Sequence, residues 1–236
     1  TIDAELQRIA ETAFGDRKGA LVAIEPATGG LLALVSTPTY DPNLFVDGID
    51  SANWRELNES PDKPMVNRAL NGAYPPGSTF KPFMALAALT TGKRRPEQTI
   101  SDPGSFTFGG HTFRDDKKGG HGSVDMYKSI VQSCDTYYYI LANDMGIDNI
   151  SNFMGQLGLG QRTGIDIEGE SEGILPSQAW KKKRFKKPEQ QKWYAGETIS
   201  IGIGQGYNAY TPIQLAQATA VIANKGVMFR PHLVNY

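Results

Sequence analysis

Tyr74-Pro75-Pro76-Gly77-Ser78-Thr79-Phe80-Lys81-Pro82-Phe83 leads into Met84, Leu86, Ala87 and Leu89 at helical spacing and stops at Gly92. This pattern predicts a central apolar helix from about Ser78. Ser78 and Lys81, three residues apart, share one helix face about a turn from each other. A hydroxyl and an amine so placed suit a nucleophile with its base. The helix N-terminus would stabilise a developing alkoxide, and a lysine in a partly dry pocket can lose its proton. The bare Ser-x-x-Lys string carries little weight, since common residues produce about one such match in a chain this long. The same residues also suit an ordinary helix N-cap. Context adds the weight: Pro75-Pro76-Gly77 stiffens the entry, and the small apolar residues downstream would bury the back of the serine.

Working outward, Ile2, Leu6, Ile9, Ala10 and Ala13 before Gly15 predict an amphipathic first helix. Ala20–Ile24 and Leu31–Val35, joined by a Pro/Gly-rich connection, predict a β-hairpin. Residues 37–76 read as a long surface excursion with short helices. Beyond Gly92, residues 99–122 are rich in Gly and Asp, with Phe106 and Phe108 alternating as in a small strand. Helical patterns follow over about 124–131, 136–145 and 147–157. A last helix begins at Thr211-Pro212, ends at Asn224-Lys225-Gly226, and has Ile213, Leu215, Ala216, Ile222 and Ala223 as its expected buried set. Tyr137, Tyr138 and Tyr139 are consecutive on a helix, so at least one is expected to face away from the core, where it could wall a substrate, although core packing is the safer assignment.

Composition narrows the function classes. The 236 residues are 39% hydrophobic and 21% charged, enough for a real core. Twenty-four Lys and Arg against twenty-five Asp and Glu leave a net charge of −1, which argues against a nucleic-acid partner. The apolar runs at 31–35 and 83–89 fall far short of a membrane span. The chain opens directly into a helical pattern, without an initiator Met or signal-type leader, which predicts a piece of a longer protein. One cysteine, Cys134, excludes an intrachain disulfide framework.

Ser133-Cys134-Asp135 falls at a break between helical patterns, so Ser133 and Asp135 can face one cleft. A hydroxyl beside a carboxylate can relay protons and hold an amide, although alone the tripeptide equally suits a helix cap. With Ser78-x-x-Lys81 upstream, the chain resembles the penicillin-binding protein transpeptidases, in which Ser-x-x-Lys precedes Ser-x-Asn by some fifty residues. The likeness extends through Thr28-Gly29-Gly30, Ser36-Thr37-Pro38, Tyr40-Asp41-Pro42-Asn43, Thr163-Gly164-Ile165-Asp166 and Gly202-Ile203-Gly204-Gln205-Gly206 with Thr211-Pro212-Ile213-Gln214. Asp135 in place of the usual Asn resembles the class B branch that serves cell elongation.

The resemblance implies an α+β fold, an antiparallel sheet flanked by helices, with residues 1–236 forming an incomplete transpeptidase domain. It implies acyl transfer on peptidoglycan: Ser78 attacks the D-Ala-D-Ala amide of a stem peptide, Lys81 deprotonates it, Ser133 passes the proton to the leaving amine, and Asp135 completes the set. β-Lactams would acylate the same serine, and catalysis would need no cofactor. The expected third motif, a Lys-Ser/Thr-Gly strand that supplies an oxyanion donor, is not found among the 236 residues. Without it the chain is expected to be weak or inactive. The resemblance also implies an N-terminal anchor and pedestal, the periplasmic face of the cytoplasmic membrane, and a RodA-type membrane glycosyltransferase as partner. The rival readings are a D,D-carboxypeptidase or β-lactamase, a β-lactam sensor domain, and an inactive scaffold.

Cys134, His121, Asp115 and Asp102 make a chemically sensible tetrahedral zinc set, with His111 and Asp116 as substitutes. Such an ion would be structural and would pin the Gly-rich loop behind the active site. The spacing matches no compact zinc motif, and a lone buried cysteine is ordinarily a small hydrophobe. The basic run Lys181, Lys182, Lys183, Arg184, Lys186 and Lys187 suits a solvated loop, or contact with anionic lipid or glycan. Gly202-Ile203-Gly204-Gln205-Gly206 lacks the third glycine and the βαβ context of a dinucleotide loop.

Overall fold

Asp3 accepts hydrogen bonds from the Glu5 and Leu6 N–H groups and so opens the first helix, α1 (Ala4–Phe14). The computed structural model, which describes residues 1–234, continues with β1 (Gly19–Ile24), β2 (Leu31–Thr37), α2 (Ser51–Glu59) and α3 (Lys81–Thr90). There follow β3 (Ile100–Asp102), β4 (Ser105–Phe108), β5 (His111–Arg114), β6 (Gly122–Val124), α4 (Met126–Val131) and α5 (Asp135–Gln156). The last elements are α6 (Gln178–Arg184), α7 (Pro188–Gln191), α8 (Ala195–Ile201) and α9 (Pro212–Ala223). They make two compact units. One holds 1–74, 157–173 and the stretch from Tyr210 onward; the other holds 75–156 and 174–209.

In the first unit β1 and β2 pair antiparallel, Leu21 opposite Val35 and Ala23 opposite Ala33, with a bulge at Ala23/Ile24. Alternation along β2 buries Leu31, Ala33 and Val35. Leu31, Leu70, Ile165 and Ile213 form a core cluster against which Val22, Ile24, Leu34 and Ile167 pack. The helix predicted over the first fifteen residues is present, but Ile2, Leu6 and Ile9 are exposed and Ala10 is its buried residue. Its rotation is set by polar contacts. The Gln7 amide donates to the Leu34 carbonyl (3.0 Å) and accepts from the Leu34 N–H (2.8 Å). Helix α9 likewise departs from its predicted face: Gln214 and Gln217 turn inward beside Ile213, while Ile222 is exposed. Gln214 Nε2 donates to the carbonyls of Gln161 (2.6 Å) and Glu172 (2.8 Å), and Gln217 Nε2 to that of Phe229 (3.2 Å). Paired in this way, two amides can be buried without loss.

The second unit is built around α5. All three consecutive tyrosines are buried, as core packing requires, and none faces outward as three successive helical positions suggested. The first turns of α5 are enclosed on several sides, and the helix meets water only further along, as at Asn143, Asp144, Asp148 and Asn149. Gly146, at φ 73°, divides α5 into the two helical patterns predicted at 136–145 and 147–157. Between α3 and α4 the Gly- and Asp-rich stretch contains more strand than its composition suggested. β4 and β5 form a hairpin whose turn glycines, Gly109 and Gly110, both have positive φ, and β3 pairs with β6.

The basic run is not uniformly solvated. Lys181, 3% exposed, donates to both carboxylate oxygens of Glu197 (2.5 and 2.6 Å) and to the Lys192 carbonyl (2.8 Å). Its ammonium lies 5.4–5.8 Å from the ring centres of Trp193, Tyr194 and Tyr207. Burial alone would raise the Glu197 carboxyl, but the hydrogen bonds from Lys181, the Tyr194 N–H and Tyr207 outweigh it and hold it below its usual range. Glu197→Gln, which leaves a buried ammonium unpaired, is expected to cost about 2–4 kcal/mol of stability in urea titrations at pH 7. The contribution of the pair is present above the ordinary glutamate range and lost as pH falls through the lowered Glu197 value. A variant as stable as the parent at pH 7 would remove this anchor from the account.

Candidate active site

Ser78 lies not on an α-helix but on a 3-10 turn, Gly77–Phe80, and α3 begins at Lys81. Pro82 has no N–H to reach back to the Ser78 carbonyl, which the Lys81 N–H takes instead. Ser78 stays exposed while Phe80 behind it is fully buried.

The side chain of Lys81 is 2% exposed. Its three hydrogens meet three acceptors: the Ser133 carbonyl (2.6 Å), Ser133 Oγ (2.9 Å) and Asp135 Oδ1 (2.6 Å). Ser133 Oγ donates to Ser78 Oγ at 3.0 Å. The four residues singled out in the sequence therefore converge, and Lys81 reaches Ser78 through Ser133. The Tyr138 ring flanks the ammonium, 5.7 Å from its centre. Ser133 is not extended, as a strand-like Ser-Cys-Asp would have it. Its φ is 54°, in the left-handed region that costs a residue with a Cβ about 1 kcal/mol or more. That turn, closed by the Cys134 N–H to the Ser129 carbonyl (3.0 Å), aims Ser133 and Asp135 at Lys81 and buries Cys134 completely.

Sequence reading missed the support beneath Ser78. The Gly77 N–H donates to the Gly204 carbonyl (3.1 Å), and Gly204 has φ 70°. A Cβ on Gly204 would collide with the Gly77 backbone. The Gln205 side chain adjoins this turn, its Nε2 3.6 Å from where a Cβ on Gly77 would stand. The signal was the glycine spacing of residues 202–206, whose role is to bring one backbone against another.

Behind the Ser133 turn, Asp102, Asp115, His121 and Cys134 converge, with one ligand atom from each lying within 4.8 Å of the others. His121 Nδ1 is 2.8 Å from Asp102 Oδ2 and 3.3 Å from Asp115 Oδ1; Cys134 Sγ is 3.4 Å from Asp102 Oδ2 and 3.5 Å from Asp115 Oδ2. Pairing of β3 with β6 sets Asp102 opposite Gly122 and so places His121. Burial raises the Asp102 carboxyl, but hydrogen bonds from the Gly104 N–H and from the N–H and ring of His121 carry it below its ordinary range. The Cys134 thiol is pushed up by burial and by the two carboxylates, against one hydrogen bond from the Tyr137 N–H. Tetrahedral zinc with these donors would space them about 3.3–3.8 Å apart, close to most of these separations. The donor set fits such an ion. His111 and Asp116, the substitutes, are exposed and outside the cluster.

Comparison with known proteins agrees with this geometry. The chain is 50% identical over 236 residues to the peptidoglycan D,D-transpeptidase MrdA of Acinetobacter baumannii, covering 99% of this chain and 34% of that protein. It superposes on the crystal structure of penicillin-binding protein 2 from Pseudomonas aeruginosa with a TM-score of 0.94 and 48% identity, covering 100% of this chain and 53% of that one. For Helicobacter pylori penicillin-binding protein 2, solved as a complex with MreC, the TM-score is 0.92 at 36% identity, covering 98% and 42%. The chain spans about a third of the length of the curated relatives it matches. The family model for the penicillin binding protein transpeptidase domain matches residues 19–236, and the chain belongs to that family.

Proposed function

We propose that this chain carries the acyl-transfer centre of a peptidoglycan D,D-transpeptidase of cell elongation. The observation that carries the reading is the unbroken chain of hydrogen bonds from Ser78 through Ser133 to Lys81 and Asp135. The Lys81 ammonium must first release one proton, through Asp135 to solvent, and the two hydroxyls turn to donate toward the freed amine. As Ser78 Oγ then bonds to the carbonyl carbon of D-Ala-D-Ala, its proton passes to Ser133 Oγ while the Ser133 proton moves to the Lys81 nitrogen. Run in reverse, the relay protonates the departing D-Ala nitrogen. An amine of a neighbouring stem then attacks the ester and frees Ser78. A β-lactam ring amide enters by the same first step and leaves a slowly hydrolysed ester. In this reading the Lys-Ser/Thr-Gly strand, N-terminal anchor and pedestal belong to the full-length protein, which works at the periplasmic face of the cytoplasmic membrane. The partner is a RodA-type glycosyltransferase, a reading supported by the resemblance and by a 37% identical chain solved in a peptidoglycan synthase complex that coordinates polymerization and crosslinking.

The test is intact-mass spectrometry after incubation with a penicillin, on this chain and on a form extended through the Lys-Ser/Thr-Gly strand, each with Ser78→Ala as control. A Ser78-dependent adduct on the extended form is the expected result. A folded extended form that takes no adduct overturns the reading in favour of an inert scaffold. Turnover of a stem peptide with an amine acceptor separates the transferase from a sensor or a carboxypeptidase.

The converging donors favour a second element of the proposal, a structural zinc-type cation held by Asp102, Asp115, His121 and Cys134. When bound, it supplies charge neutralisation and a cross-link, not chemistry on substrate. Cys134 lies between Ser133 and Asp135, so fixing its sulfur fixes the relay turn.

A further inference from the structure

Residues 182–192 hold six exposed cations, Lys182, Lys183, Arg184, Lys186, Lys187 and Lys192, and one carboxylate, Glu189, in a chain whose net charge is only −1. Among the described residues none of the six is ion-paired, although acidic side chains pair with lysines and arginines elsewhere in the chain. Lys181, the seventh cation of the run, is neutralised by Glu197 inside the aromatic cluster and anchors the segment. The other six are displayed on a tethered support. We propose that this face binds assembled peptidoglycan through the carboxylates of its stem peptides, holding the polymer on the same compact unit as the acyl-transfer centre; this rests on the function proposed above.

The aromatic residues of the segment distinguish such a hydrated polyanion from a bilayer. A helix that lies in a membrane interface buries large apolar side chains among the lipids. Here Trp180, Phe185 and Trp193 are half-buried and packed on Tyr207, with ring centres 5.1, 6.2 and 6.1 Å from it. Trp180 and Phe185 also pack on each other, and Lys181 lies over Trp193; Tyr194 is the one exposed ring of the stretch, and it lies against the Lys181 and Lys192 ammonium groups. What the face offers outward is charge on long flexible stems, suited to many weak, screened contacts with an array of carboxylates.

The experiment is co-sedimentation of the full-length protein with purified peptidoglycan sacculi, with Ser78→Ala in every form so that acylation cannot contribute. Lys182→Gln, Lys183→Gln, Lys186→Gln and Lys187→Gln together are expected to weaken binding roughly tenfold. Amidating the sacculus carboxylates, or raising salt to several tenths molar, should do the same. With Ser78 restored, the quadruple variant should react with penicillin at the parent rate, showing that fold and centre are intact. Binding that ignores the four substitutions overturns the proposal. So does charge-dependent binding to phosphatidylglycerol vesicles in place of sacculi. If the parent protein takes no penicillin adduct, the acyl-transfer reading fails whatever the sacculi show.

Discussion

Lys81→Met is expected to lower the rate of penicillin acylation about a thousandfold in the form that carries the Lys-Ser/Thr-Gly strand, within the range for loss of a positioned general base. Methionine keeps most of the volume of the lysine stem and removes the amine. Ser133 Oγ, which accepts from Lys81 and donates to Ser78, then has no onward site for its proton. Asp135 loses its cation too, but at 16% side-chain exposure it is within reach of water. The variant should therefore fold, which its circular dichroism and melting transition will report. Acylation within tenfold of the parent would show that Ser78 has another base and would remove Lys81 from the relay.

A chelator strong enough to strip zinc is expected to lower the melting temperature by roughly 6–12 °C, the equivalent of about 3 kcal/mol in a chain this size. The cause lies in the four donors. Without a cation, two buried carboxylates face a thiol that burial and their own charge push toward the protonated form, with His121 the nearest positive candidate. One equivalent of zinc should restore the transition, and elemental analysis of the purified protein should find close to one zinc per chain. His121→Ala should melt near the stripped parent and no longer respond to chelator. A parent protein that holds no metal and melts unchanged in chelator ends the zinc reading.

What could be read in the sequence followed how local the determinants are. Ser78 and Lys81 were legible because three residues of helix-like spacing set their neighbourhood, and the 3-10 turn kept that neighbourhood. Ser133, Asp135 and the zinc donors were legible as chemistry, but their convergence depends on a left-handed residue at 133 and on β3 pairing with β6 across twenty residues of chain. Neither leaves a periodic trace. Of the short strands between 100 and 124, β4 showed itself through Phe106 and Phe108, while β3, β5 and β6 lay below what alternation can reveal. Gln214 and Gln217 were left out of the expected buried set and Lys181 was read with a solvated run, for one shared reason. A polar side chain goes inside when a backbone carbonyl or carboxylate waits there, and those acceptors lie far along the chain or beyond a turn.

The seat of the nucleophile turn has a consequence for how such a centre can change over generations. Gly77 meets Gly204 main chain to main chain, with no side chain between them to be enlarged, trimmed or re-angled. Substitution at Gly204 drives a Cβ into the opposing backbone, and substitution at Gly77 meets a positive φ of 57°. A lineage under selection by a drug aimed at Ser78 therefore has almost no graded steps by which to move the serine itself. Its accessible variation lies at the rim, at neighbours such as Gln205, where a new side chain can hinder the inhibitor while the backbone beneath stays as it was.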